Sequence, residues 1–495
     1  MEFIGIDVGS QGTRVVLIDR RGRTVAEDSV SYPIEYPRKY WAEQDPLCWE
    51  SAALQGLAAV CSRSKNPAEI RSIGIAAQVD GVVAIDKSGQ PLGKAIIWMD
   101  KRAVEEERHI SEVIGVEEIF AITGCNLDAS HVLPKVLWLR GNTEILDSSF
   151  KLLLPASYLV FCLTGELAVD YSNASSTLMY RVKEKVWDDG ILKEFAISRG
   201  LLPDILPSTH IAGRLRKQTA LRLGLPNPPV VAVGCGDEHA AFVGTGVIHD
   251  GIAFDMAGTG EVVGASCRLP LLDRTRLVET HGHPLSELWL LENPGFVSGG
   301  NLRWFRDNLC AIGSGACSYE SLVKEAEGVP AGSEGLIFLP TLMGAKAPEW
   351  NSAAVGNIYG LSLHSTRAHI TRAILEGSAY GIRDVLGALS GMGLRFSRVR
   401  VTGGGSRSRL WNQIKADVLD LPVETLATPQ STALGAALIG AVSCGAFSTL
   451  QEAVKTAVKT GQVFEPGDQR AKYEEAYPRY RDLYFALKPV FGGCK

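Results

Sequence analysis

Two strand–turn–strand passages, one opening each half of the chain, limit the possible folds more than any other feature. The first runs Phe3-Ile-Gly-Ile-Asp-Val-Gly-Ser-Gln-Gly-Thr13 and is followed by a second apolar run, Val15 to Asp19. Apolar run, polar glycine-bearing tip and apolar run together predict a β-hairpin. At its tip Gly9 and Gly12 let backbone N–H groups converge on an anion, Ser10 and Thr13 offer hydroxyls, and Asp7 can face a cation. An ordinary hairpin with glycine at positive φ would use the same residues. The second passage comprises a strand over 251–256, a tip Ala257-Gly258-Thr259-Gly260, and an extended run over 261–266. This repeat predicts a duplicated architecture holding one nucleotide's phosphate tail between the halves, with two unrelated hairpins as the alternative.

Strand and helix signals alternate elsewhere. Asp45-Pro46 opens a helix over 45–61 with Trp49, Ala53, Leu57 and Val60 at helical spacing. Runs at 70–76, 82–86 and 95–98 predict adjacent strands of one mixed sheet. A strand over 229–234 ends in Gly-Cys-Gly-Asp237 and leads into a small-residue helix over 238–243. A third glycine site, Gly403-Gly404-Gly405-Ser406, follows a strand over 399–402 and precedes a helix with Leu410, Ile414 and Val418 at spacing four. Glycines there admit a flat ligand or phosphate to the backbone, Ser406 can cap the helix, and Asn412 lies in its first two turns. A plain strand-to-helix connection fits the same residues.

With 495 residues, 46% of them hydrophobic, the chain can bury large cores in two or three domains. A net charge of -5 carries no basic footprint for nucleic acid, so small ligands are expected instead. The ten cysteines form no CxxC pair or Cys/His cluster, which argues against a zinc site or a disulfide framework. Residues 1–6 already read as strand, and no apolar run approaches membrane-spanning length, so a reducing cytoplasm is the expected location.

The residues 356–361, Gly-Asn-Ile-Tyr-Gly-Leu, then seven residues, then 369–376, His-Ile-Thr-Arg-Ala-Ile-Leu-Glu, match a long signature. On that signature the chain resembles the FGGY carbohydrate kinases. Lys135-Val-Leu-Trp-Leu139 keeps the centre of the family's N-terminal signature, with Val132 and Gly141 departing from it, and 98–102 and 41–46 resemble its sugar-contact and flanking segments. The resemblance implies an α/β chain with the duplicated actin-like, ribonuclease-H-like ATPase fold. It also implies two domains around a cleft, 1–245 and 246–495.

The resemblance implies roles as well. Asp237 matches the base that accepts the proton of the attacking sugar hydroxyl, and Gln78, Val79, Asp80, Trp98, Asp100, Asp237 and Glu238 match the sugar side. Gly9, Ser10, Thr13, Arg14, Gly258, Thr259 and Gly260 match the phosphate clamps, and Gly404, Gly405 and Asn412 the adenosine side. Asp7 matches the organiser of Mg²⁺. Transfer of the ATP γ-phosphoryl group to a ketose, D-xylulose first, is implied. Autoinducer-2, gluconate, erythrulose, erythritol and glycerol stand as other acceptors, and an actin-like ATPase or sugar sensor as another class. No GxxxxGK[ST] motif occurs, so the nucleotide site is not a P-loop.

Two departures bear on the substrate. Xylulokinases carry Met-His-Gly where this chain reads Val79-Asp80-Gly81, and Gly344-Ala345-Lys346-Ala347-Pro348 lacks the charges usual at that place. Asp80 can accept hydrogen bonds from two hydroxyls, or serve as a turn residue before Gly81. Trp304 and Phe305 are expected in the core. A homo-oligomer is compatible with the sequence.

Overall fold

The computed structural model describes residues 1–310, 317–428 and 430–492. Its first sheet is built on β1 (Glu2–Val8), β2 (Gly12–Asp19), β3 (Thr24–Ser31), β4 (Ile70–Ala77) and β5 (Val230–Ala232), in spatial order β5-β4-β1-β2-β3, with Ile211–Arg214 outside β5. β1–β2 and β2–β3 are antiparallel, while β1–β4 and β4–β5 are parallel. Phe3, Ile4, Ile6 and Val8 are all fully buried, so both faces of β1 are covered, as a central strand of an α/β sheet requires.

The second sheet repeats this plan. β6 (Ile252–Ala257), β7 (Gly260–Cys267), β8 (Trp289–Val297), β9 (Arg398–Thr402) and β10 (Val423–Leu426) lie in the order β8-β7-β6-β9-β10. Glu279–Gly282 flanks β8 and Thr460–Phe464 flanks β10. β6–β7 and β7–β8 are antiparallel, and β6–β9 and β9–β10 are parallel. Each half therefore carries two antiparallel pairings followed by two parallel ones, and the fold is the duplicated actin-like one.

Asp45 caps α1 (Pro46–Arg63) by accepting from the Leu47 N–H at 3.0 Å, with Pro46 at the first helical position. Two expected strands lie outside the main sheet. Val83–Ile85 pairs with Lys151–Leu153 and Ala95–Ile96 with Glu43–Gln44, forming separate two-stranded ladders. Short apolar runs report burial without naming the partner strand. Phe305 is buried, and Trp304 packs against the same core cluster.

Two helices join the halves. α2 (Asp237–Thr245) belongs by sequence to the first half and α3 (Ser431–Ser443) to the second, and α3 packs on α2, β1 and β4. A Cβ on Gly435 would lie 1.8 Å from the Ala240 carbonyl oxygen, and one on Gly244 1.8 Å from that of Ser431. Backbone touches backbone here, which only glycine permits.

Among the described residues no helix is long and apolar enough to cross a membrane, and the nine cysteines are free.

Candidate active site

Both hairpin tips are closed by a glycine N–H reaching a glycine carbonyl. Gly9 donates to Gly12 at 3.0 Å, and Gly258 donates to Gly260 at 2.8 Å. Ser10 is half-buried at the first tip and Arg14 is exposed, paired in register with Asp7 and 3.4 Å from the Ser29 hydroxyl through Nε. Thr13 is turned inward. Its hydroxyl bonds Tyr32 Oη at 3.1 Å, and Tyr32 donates to the Gly9 carbonyl at 2.7 Å, so Thr13 braces the tip.

Asp7, at the end of β1, meets the charge of Asp237, the first residue of α2. Burial, then Asp237, push Asp7 up to about 7. Burial pushes Asp237 up to about 6, opposed by the Glu238 backbone N–H that its Oδ1 accepts at 2.9 Å, with Asp80 adding to the rise. Gly236 occupies the cap position, so Asp237 is the first helical residue and only its Oδ1 is engaged, by the Glu238 N–H. Burial and then Asp237 lift Glu238 to about 8, so at neutral pH it can donate a hydrogen bond as well as accept one. Val79 packs against Gly236, where an added Cβ would come within 2.6 Å of its Cγ1.

Asp80 holds a left-handed φ of 58° and sits 3.1 Å from His131 Nδ1. Burial opposes charge on both, yet each outweighs that for the other: Asp80 stays below its ordinary value and His131 rises to about 9. The imidazole absent from the 78–81 segment thus arrives from a residue 51 positions later. Lys135, fully buried, donates to the carbonyls of Asp80 at 2.6 Å and Ile97 at 2.9 Å, which ties the Asp80 turn to the strand preceding Trp98. Burial lowers the Lys135 ammonium to about 8 against the pull of Asp80 and Asp100. Trp98 itself is 45% exposed.

Gln78 is buried and donates to Gln44 Oε1 at 2.8 Å, and Gln44 donates to the Ser10 carbonyl at 2.7 Å. This chain of amides couples the first tip to the Asp80 segment. Asp100 is fully buried. Its oxygens accept from the Ala42 N–H at 2.6 Å and from the Arg102 backbone and guanidinium at 2.7–3.0 Å, and Arg102 lies 3.7 Å over the Trp41 ring. The carboxylate is spent on that buried pair.

The second tip opens on a cavity of about 720 Å³, lined by Gly258, Thr259, Arg303, Tyr319, Gly404, Gly405, Arg407, Arg409 and Trp411. Cations, an aromatic ring and close backbone suit a nucleotide. Gly260 is exposed beside this cavity without lining it. One expectation changes here. Ser408 caps the helix Arg409–Leu419 through the Trp411 N–H at 3.2 Å, while Ser406 turns back to the Gly403 carbonyl at 2.7 Å. Asn412 is buried and donates to the Ser406 carbonyl at 2.7 Å, and its Oδ1 has no partner. At the other departure, Lys346 lies 4.6 Å over the Trp350 ring and its carbonyl accepts from Asn293 at 2.7 Å.

His131 and Tyr319 carry no local mark in the sequence, and Gln44 stands there only as part of 41–46. Each acquires its role from a segment distant in sequence.

Residues 3–244 match the N-terminal domain of the FGGY family of carbohydrate kinases, and residues 255–444 match its C-terminal domain. The chain belongs to that family. It is an ATP-dependent sugar phosphotransferase. It is 29% identical to the xylulose kinase of Lactococcus lactis, covering 97% of this chain and 96% of the relative, and 31% identical to the glycerol kinase of Thermococcus onnurineus, covering 100% and 98%. Its fold is similar to the crystal structure of a ligand-bound xylulose kinase from Lactobacillus acidophilus, with a TM-score of 0.92 at 25% identity and full coverage of both chains. A gluconate kinase from the same organism matches equally, at 0.92 and 25%, covering 100% and 99%.

Replacing Lys135 by methionine leaves two buried carbonyls unpaired at about 1–3 kcal/mol each, partly offset by the desolvation cost of the lost ammonium. A net loss of about 2 kcal/mol in urea denaturation is expected, with a raised KM for the sugar as the Asp80 turn loosens. Unchanged stability and KM would remove Lys135 as the tie.

Proposed function

We propose that this FGGY kinase phosphorylates a hydroxyl of D-xylulose, with Asp237 as general base and Mg-ATP bound between halves 1–245 and 246–495. The observation that carries this is electrostatic: the buried Asp237 carboxyl at the start of α2 feels the charge of Asp80 and in turn raises Asp7 and Glu238, in a chain that is similar over its length to xylulose kinases. Asp237 accepts the hydroxyl proton while the sugar oxygen attacks the γ-phosphorus and ADP leaves. Positioning and charge neutralisation supply most of the acceleration in such transfers. Asp7 fits the magnesium role, because a buried carboxyl lifted by a neighbouring carboxylate gains from a divalent cation. That ion, when bound with ATP, neutralises phosphate charge. Gly9, Ser10, Gly258, Thr259 and Gly260 are the proposed phosphate contacts, with Gly404 and Gly405 beside adenosine and Arg14 able to swing toward developing charge.

The same carboxylates favour a neutral acceptor. Gluconate would bring its own negative charge toward Asp237, while His131 is already neutralised by Asp80 and Lys135 is engaged with carbonyls. A panel of D-xylulose, D-ribulose, erythrulose, erythritol, glycerol, gluconate and autoinducer-2 tests the reading, with kcat/KM highest for xylulose as the expected result. A higher value for any other acceptor reassigns the substrate.

The Asp237 base must be unprotonated to act. Since burial holds it near 6, kcat/KM for the sugar at saturating Mg-ATP is expected to fall with decreasing pH, approaching tenfold per unit below about 6. A flat profile down to pH 4.5 would contradict it.

A further inference from the structure

His131 occupies the cap position of the helix Val132–Asn142, yet its ring caps nothing there. Nδ1 turns instead to Asp80 Oδ1 at 3.1 Å, and among the described residues Nε2 has no hydrogen-bond partner. Both residues are buried, with 8% of the His131 side chain and 12% of the Asp80 side chain still exposed. A ring nitrogen left without a partner in so buried a place calls for one, because it has also lost most of its water.

The surrounding charges decide which way Nε2 bonds. Burial opposes the charged ring, and Asp80, then Glu279 and Asp128, outweigh it. Both nitrogens of an imidazolium are donors, so Nδ1–H serves Asp80 and Nε2–H is left over. The pair stands beside the proposed base, since the charge of Asp80 reaches Asp237. It is also held in place. Asp80 keeps a left-handed φ of 58°, a strained backbone for a residue with a side chain, and the Lys135 ammonium donates to its carbonyl at 2.6 Å.

We propose that the Asp80–His131 pair selects a 2-ketose over the corresponding polyol, with His131 Nε2–H donating to the carbonyl oxygen and Asp80 accepting from a neighbouring hydroxyl. This rests on the reading of Asp237 as base with the acceptor sugar beside it. A carbonyl oxygen only accepts, so it satisfies Nε2–H and brings no proton of its own. The matching carbon of a polyol carries a hydroxyl whose proton needs a further acceptor, while the carboxylate at hand already receives His131 and Ser176. His131 is thereby a specificity-determining residue, supplied by a segment far from the Asp80 turn in sequence.

The test compares erythrulose with erythritol and D-xylulose with xylitol at saturating Mg-ATP, pairs that differ in the oxidation level of one carbon. The wild type is expected to favour each ketose in kcat/KM by about tenfold or more. His131→Asn keeps an N–H toward Asp80 and loses the outer donor. It is expected to raise the ketose KM and to narrow both ratios to within about threefold, with the KM for ATP and the melting temperature unchanged. His131→Gln, whose amide reaches the place of Nε2, should regain part of the preference. If His131→Asn does not fold, Asp80→Asn serves, since it removes the charge that holds the imidazolium and should narrow the same ratios. A wild type that shows no ketose preference overturns the proposal, as do ratios left unmoved in these variants, including a variant that only melts earlier. Transfer to none of the four acceptors removes the ketose reading and this inference together, whereas ketose transfer with unmoved ratios removes this inference alone.

Discussion

Asp237→Ala is expected to lower kcat by about 10²- to 10⁴-fold, the range a positioned general base contributes, while the KM for ATP stays near that of the wild type. The expectation rests on location. Asp237 opens α2 at the first helical position with Gly236 as cap, and its Oδ1 accepts the Glu238 N–H while Oδ2 has no such partner. Burial sets it near 6, close enough to neutrality to be ionised in the resting enzyme and still basic enough to take a proton. Asp237→Asn separates charge from shape, because it keeps the hydrogen-bonding outline and removes the base. Steady-state kinetics with the preferred acceptor decide the matter, and turnover within a fewfold of wild type in either variant would remove Asp237 from the reaction.

Gly435→Ala is expected to destabilise the protein by more than about 3 kcal/mol, at or beyond the upper end of ordinary overpacking. Helix propensity alone predicts the reverse, a gain of about 1 kcal/mol for alanine over glycine. The contact decides which effect wins. The added methyl carbon would stand 1.8 Å from the Ala240 carbonyl oxygen and 2.9 Å from the Gly244 nitrogen, both backbone atoms with no rotamer to change. α2 and α3 would have to separate, and α2 carries Asp237 at its start. Gly387→Ala is the control: it lies in the helix Arg367–Gly391 with nothing within 4 Å of an added Cβ, and should gain up to about 1 kcal/mol. Chemical denaturation of the two variants measures both. Equal stability gains would show that the helix crossing is looser than its backbone distances imply.

What could be read before the structure was local. The two hairpins declare themselves through apolar alternation interrupted by Gly9, Gly12, Gly258 and Gly260, and the helix starting at Pro46 through its Asp45 cap. The parallel pairings β1–β4 and β6–β9 follow from no short-range signal, and two apolar runs taken for sheet neighbours pair elsewhere. At the site, residue type predicted polarity but not partners. Thr13 is engaged by Tyr32, Asp100 by Arg102 and Asn412 by the Ser406 carbonyl, partners that the sequence did not indicate. His131 and Lys135 show the converse. Lys135 lies in a segment matched for its signature alone and His131 just before it, yet one fixes the Asp80 turn and the other neutralises Asp80. Such roles depend on which distant segments the fold brings together, and a single sequence carries no record of that.

Transfer of phosphate from ATP to xylulose is the central proposal. Phosphorus NMR of the purified enzyme with Mg-ATP and D-xylulose measures it directly. The γ-phosphate resonance should disappear as ADP and one equivalent of a sugar phosphomonoester appear together, with Asp237→Ala leaving ATP intact over the same interval. Release of inorganic phosphate without a phosphomonoester, or no acceptor-dependent loss of ATP, would contradict it.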